Sequence, residues 1–243
     1  MDQVLFKHPT FDRAGIEVMV RHFQKTETDN LGNKYFKLLY NFEKAEQLKC
    51  KTLLTFGGPW SNHLYATAKL CKEKGMKCIG IVRGLQQDYE TPTLRDCQEM
   101  GMELHRISRE EYHLRDSSEY KQHLIETFGN VYIVPEGGSN FLGVQGTQEM
   151  VQRTDKDYFD HIAVCAGTGA TATGIAQAFG KPILVFPAVK DIDSIQGMIK
   201  KHLTDSLFED EAVEHFFELI HIQEGYHFGG FGKLNKDVVR FIK

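Results

Sequence analysis

Residues 52–82, TLLTFGGPWSNHLYATAKLCKEKGMKCIGIV, read as strand, turn, helix, turn and strand. Thr52–Phe56 is β-branched and apolar, and Gly57-Gly58 ends it. Ser61 is a good N-cap, because its hydroxyl can accept from a free first-turn amide, and it predicts a helix over Asn62–Lys74. Gly75 stops that helix, since glycine takes the left-handed backbone that closes one. Lys77–Val82 is the next strand. The pattern continues outward: Pro92 and Gly101 bracket a helix, Glu103–Ile107 is a strand, a polar helical stretch follows, and Val131–Val134 is a strand again. A second series runs His161–Cys165 (strand), Ala170–Phe179 (helix), Pro182–Pro187 (strand), Ile192–His202 (helix) and Leu219–Gln223 (strand). Between the two series lies the glycine-rich turn Pro135-Glu136-Gly137-Gly138-Ser139-Asn140, and Lys236–Lys243 opens an amphipathic helix. Such alternation predicts an α/β protein with parallel sheets covered by helices.

Composition narrows the function classes. The 243 residues are 41% hydrophobic and 26% charged, ordinary globular values. A net charge of -4 with scattered basic residues argues against a nucleic-acid partner. No apolar run approaches the ~18–20 residues of a membrane span, and Met1–Lys7 has no signal-peptide hydrophobic region. Cys50, Cys71, Cys78, Cys97 and Cys165 form no C-x-x-C pair, so a reduced, cytoplasmic protein with buried free thiols is expected. The histidines show no H-E-x-x-H or Cys/His cluster, and no metal is expected.

Three strings carry chemistry. Gly32-Asn33-Lys34 precedes an apolar helix face of Tyr35, Phe36, Leu38 and Leu39. That puts Lys34 at a helix N-terminus, where the dipole favours the neutral amine that Schiff-base chemistry needs. In Gly57–His63, the glycines and Ser61 are explained by a capped turn alone. The same geometry also offers Ser61 to a carboxylate and Asn62 to a phenolate. His63 could contact a substrate or face solvent, and Trp60 could wall a pocket or simply pack. Gly167–Gly174, GTGATATG, follows a strand and opens a helix, which suits a phosphate. It also admits a dinucleotide reading with imperfect spacing, Asp191 falling about twenty residues on. Tyr226, His227 and Phe228 follow the last strand and stand at the sheet's ligand edge.

In this order the strings GNKYFKLLYN, LLTFGGPWSNHLYATA, GMKCIGIVRG, VPEGGSNFLGVQG, VCAGTGATATG and YHFGGFGK resemble the D-cysteine desulfhydrase and 1-aminocyclopropane-1-carboxylate deaminase family. That family belongs to the fold-type II, tryptophan synthase β-like, pyridoxal 5'-phosphate enzymes. The resemblance implies two α/β domains with the cofactor between them: a small one over 37–132 and a large one from 1–36 plus 133–243, truncated at its C-terminus. It implies Lys34 as the Schiff-base lysine and catalytic base, with Ser61 on the face where the α-proton is handled. Asn62 would bond the ring hydroxyl, and Gly167, Thr168, Gly169, Ala170 and Thr171 would hold the phosphate. Trp60, Ser61, Asn62 and His63 would line the substrate site. The implied activity is a lyase or deaminase reaction on a small amino acid, releasing ammonia and a 2-oxo acid, in a homodimer.

Two departures qualify the resemblance. Phe231 stands where the family usually has a tyrosine. Family members also continue past Lys243, in a segment that carries another active-site tyrosine and part of the contact to the pyridine nitrogen. The rival expectations are a shortened, non-catalytic cofactor-binding protein and a dinucleotide-dependent oxidoreductase using Gly167–Gly174.

Overall fold

A computed structural model describes residues 2–23, 31–84, 90–207, 209–229 and 235–242. The chain opens with a hairpin in which β1 (Asp2–Phe6) pairs antiparallel with β2 (Val18–His22) around α1 (Pro9–Ala14). Arg21 of β2 grips Asp155 with two bonds of 2.6 Å and also donates to the Met150 carbonyl. The long helix α2 (Asn33–Gln47) follows.

A four-stranded parallel sheet comes next, built from β3 (Thr52–Gly57), β4 (Lys77–Arg83), β5 (Met102–Ile107) and β6 (Val131–Val134) in the order β5-β4-β3-β6. Its crossovers are α3 (Asn62–Lys74), α4 (Pro92–Glu99), α5 (Arg109–His113) and α6 (Ser118–Phe128). Ser61 caps α3 by accepting from the Leu64 amide, and Gly75 closes it in the left-handed region, as read from the sequence. Strand β3 is central and buried on both faces, so it reads as a continuous apolar run rather than an alternating one. Leu53, Cys78, Val82, Met102 and Val134 share one core with α3 and α4. Leu54, Phe56, Ile79 and Ile81 face the other way, against Tyr112 and Leu124.

The remaining elements are α7 (Phe141–Gln148), α8 (Asp155–Tyr158), β7 (Ile162–Ala166), α9 (Ala170–Phe179), β8 (Ile183–Pro187), α10 (Ile192–Ser206), α11 (Asp210–Glu218), β9 (Ile220–Ile222) and α12 (Lys236–Ile242). Strands β7-β8-β9 form a second parallel sheet in chain order. Its core joins Ile183 and Val185 to Ile175 and Phe179 of α9 and Ile195, Ile199 and Leu203 of α10. Helix α2 belongs to both cores. Leu38 and Phe42 enter the first, Phe36 enters the second, and Tyr35 packs against each.

The expectation of uniformly buried thiols needs correction. Cys71, Cys78 and Cys97 are buried, but Cys50 is half-buried and Cys165 is exposed, because alternate residues of β7 face outward. No described helix is long and apolar enough to cross a membrane.

The Arg21–Asp155 pair is a test of how the hairpin is held. Burial alone would raise the Asp155 pKa, but hydrogen bonds from Arg21 and the Gln152 amide outweigh it and hold the carboxyl below its usual range. A depressed carboxyl pKa means the pair's stability is full at neutral pH and is lost as pH falls through the folded-state value. Arg21→Met is expected to destabilise the protein by about 3 kcal/mol at neutral pH, since it strands a buried charge. Urea unfolding at pH 7 and at about pH 3 checks this, and the deficit should shrink in acid.

Candidate active site

Three helix N-termini meet where the two sheets face α2. Gly32 begins α2 with φ 52 and ψ -137, a backbone that residues with side chains rarely adopt. Asn33 then donates its amide to Thr171 Oγ1 at 3.0 Å, tying the start of α2 to the first turn of α9. Lys34 is next, and burial lowers its pKa from the usual lysine value. No hydrogen-bond partner holds its amine among the described residues.

One turn further on, Lys37 is only 2% exposed. Its ammonium donates to the Gly137 carbonyl at 3.0 Å and to Thr168 Oγ1 at 3.1 Å. Both acceptors are neutral. A buried cation with no carboxylate partner is unfavourable, and burial, together with the nearby charge of Lys34, pushes the Lys37 pKa well down. An anion placed here would reverse that.

The loop Gly167-Thr168-Gly169 supplies the place for one. Gly169 caps α9 in the left-handed region with no side-chain hydrogen bond, and the first turn holds no acidic residue. The first amides of α9 therefore keep their donors, at the positive end of the helix dipole. A side chain at Gly169 would strike Ile199 of α10, at 2.7 Å. At Gly167 an added Cβ meets nothing within 4 Å, so the loop is open at its start.

The α3 terminus forms another wall. A Cβ at Gly57 would lie 2.6 Å from Ser61 Oγ, so only glycine lets the capping serine sit so close. Trp60 is 52% exposed beside it, and Asn62 is exposed at the first position of α3. His63 points inward and is 2% exposed. Thr55 Oγ1 gives its proton to the Val134 carbonyl at 2.8 Å, so its 2.8 Å contact with His63 Nε2 requires the imidazole to donate. Nδ1 is then a bare acceptor, buried and without a partner among the described residues. Burial first, then the charges of Lys34 and Lys37, drive the His63 pKa well below the usual histidine range, which keeps this neutral form. Gly138, at φ 63, closes the group. A Cβ there would lie 3.1 Å from Lys37 Cβ and 3.5 Å from His63 Cε1.

Lys34, His63, Thr168 and Thr171 are therefore neighbours, although they come from widely separated parts of the chain. Lys37 and His202 join them, and both escaped the sequence reading. For Lys37 one signal was available: it lies three residues after Lys34, on the same helix face. Tyr226 is exposed and edge-on to Phe186, and His227 Nδ1 accepts from the Gly229 amide. Phe231 lies outside the described residues. Asp191, the acidic residue of the dinucleotide reading, caps α10: its carboxylate accepts from the Ser194 amide at 3.0 Å.

The donor set fits pyridoxal phosphate. It combines an amine biased toward its neutral form, an uncapped helix start, a buried cation lacking a counter-ion and a buried orphan acceptor.

Comparison with known proteins agrees. A protein from Thermotoga maritima described as a putative 1-aminocyclopropane-1-carboxylate deaminase is 30% identical over 202 residues, 78% of this chain and 64% of its own length. The bifunctional D-cysteine desulfhydrase/1-aminocyclopropane-1-carboxylate deaminase of Arabidopsis thaliana is 30% identical over 179 residues, 67% of this chain and 45% of that one. This chain therefore spans just under two thirds of the first relative and less than half of the second. Among solved structures, an ACC deaminase homologue superposes with a TM-score of 0.71 at 22% identity, covering 99% of this chain and 75% of that one. A pyridoxal 5'-phosphate-dependent aspartate racemase gives 0.60 at 17% identity, covering 91% and 74%. The fold is that of the fold-type II pyridoxal-phosphate enzymes. The profile of pyridoxal-phosphate dependent enzymes matches residues 15–196, and the chain belongs to that family.

Proposed function

We propose that this chain is a pyridoxal-phosphate-dependent lyase or deaminase that acts on a small amino acid and releases ammonia and a 2-oxo acid. The relatives' names, D-cysteine desulfhydrase and 1-aminocyclopropane-1-carboxylate deaminase, support the substrate class. The observation that carries the reading is Lys34, a buried amine biased toward neutrality, tied through Asn33 to the uncapped start of α9. Pyridoxal phosphate, when bound, supplies an electron sink for a carbanion beside a substrate amine.

The chain's own groups divide the remaining work. Lys34 would hold the cofactor aldehyde, and its amine would be the base for the α-proton. Gly167, Thr168, Gly169, Ala170 and Thr171 hold the phosphate, with the Lys37 ammonium as its counter-ion. Asn62 bonds the ring hydroxyl. Ser61, on the face where the α-proton is handled, and Trp60 would meet the substrate. His63 has only Nδ1 left to offer a substrate, as an acceptor. The small domain spans 37–132, and 1–36 plus 133–243 form the large one. A cytoplasmic homodimer completes the proposal.

Protein loaded with pyridoxal phosphate is expected to release ammonia from D-cysteine or from 1-aminocyclopropane-1-carboxylate, with sulfide from the former. A cofactor that attaches covalently without product from a panel of small amino acids would favour a non-catalytic binding protein instead.

A further inference from the structure

The imidazole of His202, on α10, is 4% exposed and serves none of the roles assigned above. Its Nε2 lies 3.1 Å from the Thr168 carbonyl and 2.9 Å from Ser139 Oγ. A carbonyl only accepts, so Nε2 carries the proton and shares it between the two oxygens. Nδ1 is left as a buried lone pair without a partner among the described residues. Burial lowers the pKa and outweighs the carbonyl contact, consistent with this neutral tautomer.

One N–H thus joins two loops that belong to different sheets. Ser139 lies in the turn after β6, beside the Gly137 carbonyl that receives Lys37, and Thr168 lies in the loop after β7. Helix α10 touches the second loop twice, since Ile199, one turn before His202, leaves no room for a side chain at Gly169. Planarity then fixes a direction. In a trans peptide the C=O and the following N–H point opposite ways. With the Thr168 carbonyl held against α10, the Gly169 N–H must turn away from α10, toward the open side of the loop.

We propose that His202 is a positioning residue for the phosphate subsite: it anchors the Thr168 carbonyl so that the Gly169 N–H is aimed at the phosphate of the cofactor before binding. The inference rests on the proposed cofactor site and goes beyond it, because His202 itself touches neither cofactor nor substrate. Its effect is confined to the phosphate end. An amide already aimed loses no conformational freedom when the anion arrives, which is where its contribution to affinity arises.

The test compares pyridoxal phosphate with pyridoxal, which has the same aldehyde and no phosphate. His202→Leu keeps the bulk and removes the donor, and His202→Gln restores an N–H at similar reach. Affinity for both compounds is measured by titration of the imine absorbance, with thermal unfolding as a control. His202→Leu is expected to bind pyridoxal phosphate about tenfold or more weakly, the loss of one hydrogen bond to a charged group. Its affinity for pyridoxal should be unchanged, and His202→Gln should recover most of the difference. If affinity for both compounds falls together, or neither falls, the positioning role is overturned. Wild-type protein that binds pyridoxal phosphate no better than pyridoxal would also overturn the phosphate subsite itself. If the leucine variant does not fold, His202→Ala takes its place.

Discussion

Borohydride reduction in the presence of pyridoxal phosphate is expected to label one lysine, Lys34, and Lys34→Ala protein is expected to carry no label. Two buried amines compete for the aldehyde, and burial lowers the pKa of both. By that criterion alone Lys37 would be favoured, because its pKa is pushed down further. Access decides against it. The Lys37 ammonium is held by Gly137 and Thr168 and is almost inaccessible, whereas the Lys34 amine has no such partners among the described residues and is less deeply buried. Lys37→Met should therefore keep the label on Lys34 but need about ten- to hundredfold more cofactor, as expected when a charged partner of the phosphate is removed. The pH dependence follows from the sign of the shift. Attack on the aldehyde needs the neutral amine, and a lowered pKa makes that form available at lower pH. The labelling rate should therefore level off at a lower pH than it does for free lysine. Peptide mass spectrometry reads all of these, and a label found on Lys37 in the wild-type protein would sink the assignment.

Local signals in the chain account for the parallel sheets, and long-range contacts account for what they miss. Ser61 and Gly75 bound α3 because capping depends on residues a few positions apart. The hairpin β1–β2 left no readable pattern. Val4, Leu5, Phe6, Met19 and Val20 are all exposed, so the alternation that marks a half-buried strand is absent. Helix α7, with its sequence FLGVQGTQ, was equally silent. Two glycines count against a helix by propensity, and here Gly146 is required by Phe36, distant in sequence, and Gly143 by the Gly138 carbonyl of the turn just before the helix. The site divides the same way. Lys34 was legible from a helix start, but the role of Lys37 depends on partners 100 and 131 residues away, and that of His202 on Ser139 and Thr168.

Gly146→Ala is expected to destabilise the protein and to displace the site. An exposed helical glycine normally gains stability from alanine, by about 0.5–1 kcal/mol, through lost backbone freedom in the unfolded chain. Gly197 on α10, where an added Cβ meets nothing within 4 Å, should behave that way and serves as the control. At Gly146 the Cβ would lie 1.9 Å from the Phe36 carbonyl oxygen. Ordinary carbon–oxygen contact is about 3.3 Å, so α2 and α7 would have to part by more than an ångström. Neither can yield easily. A Cβ at Gly143 would sit 1.9 Å from the Gly138 carbonyl, and one at Gly174 of α9 2.1 Å from Thr147 Oγ1, so α7 is in close contact on several sides. Overpacking of a backbone contact costs about 1–3 kcal/mol or more, opposite in sign to the Gly197 control. The consequence reaches the site because Phe36 lies between Lys34 and Lys37. A shift of about 1 Å in α2 moves both amines relative to α9, and displacements of that size cost about a hundredfold in rate. Thermal unfolding and cofactor titration of the two alanine variants should therefore diverge: Gly197→Ala at or above wild type in both, Gly146→Ala below it in both. An alanine at 146 that unfolds no lower than wild type would mean that α2 is not held by this contact, and that the positions of Lys34 and Lys37 are set elsewhere.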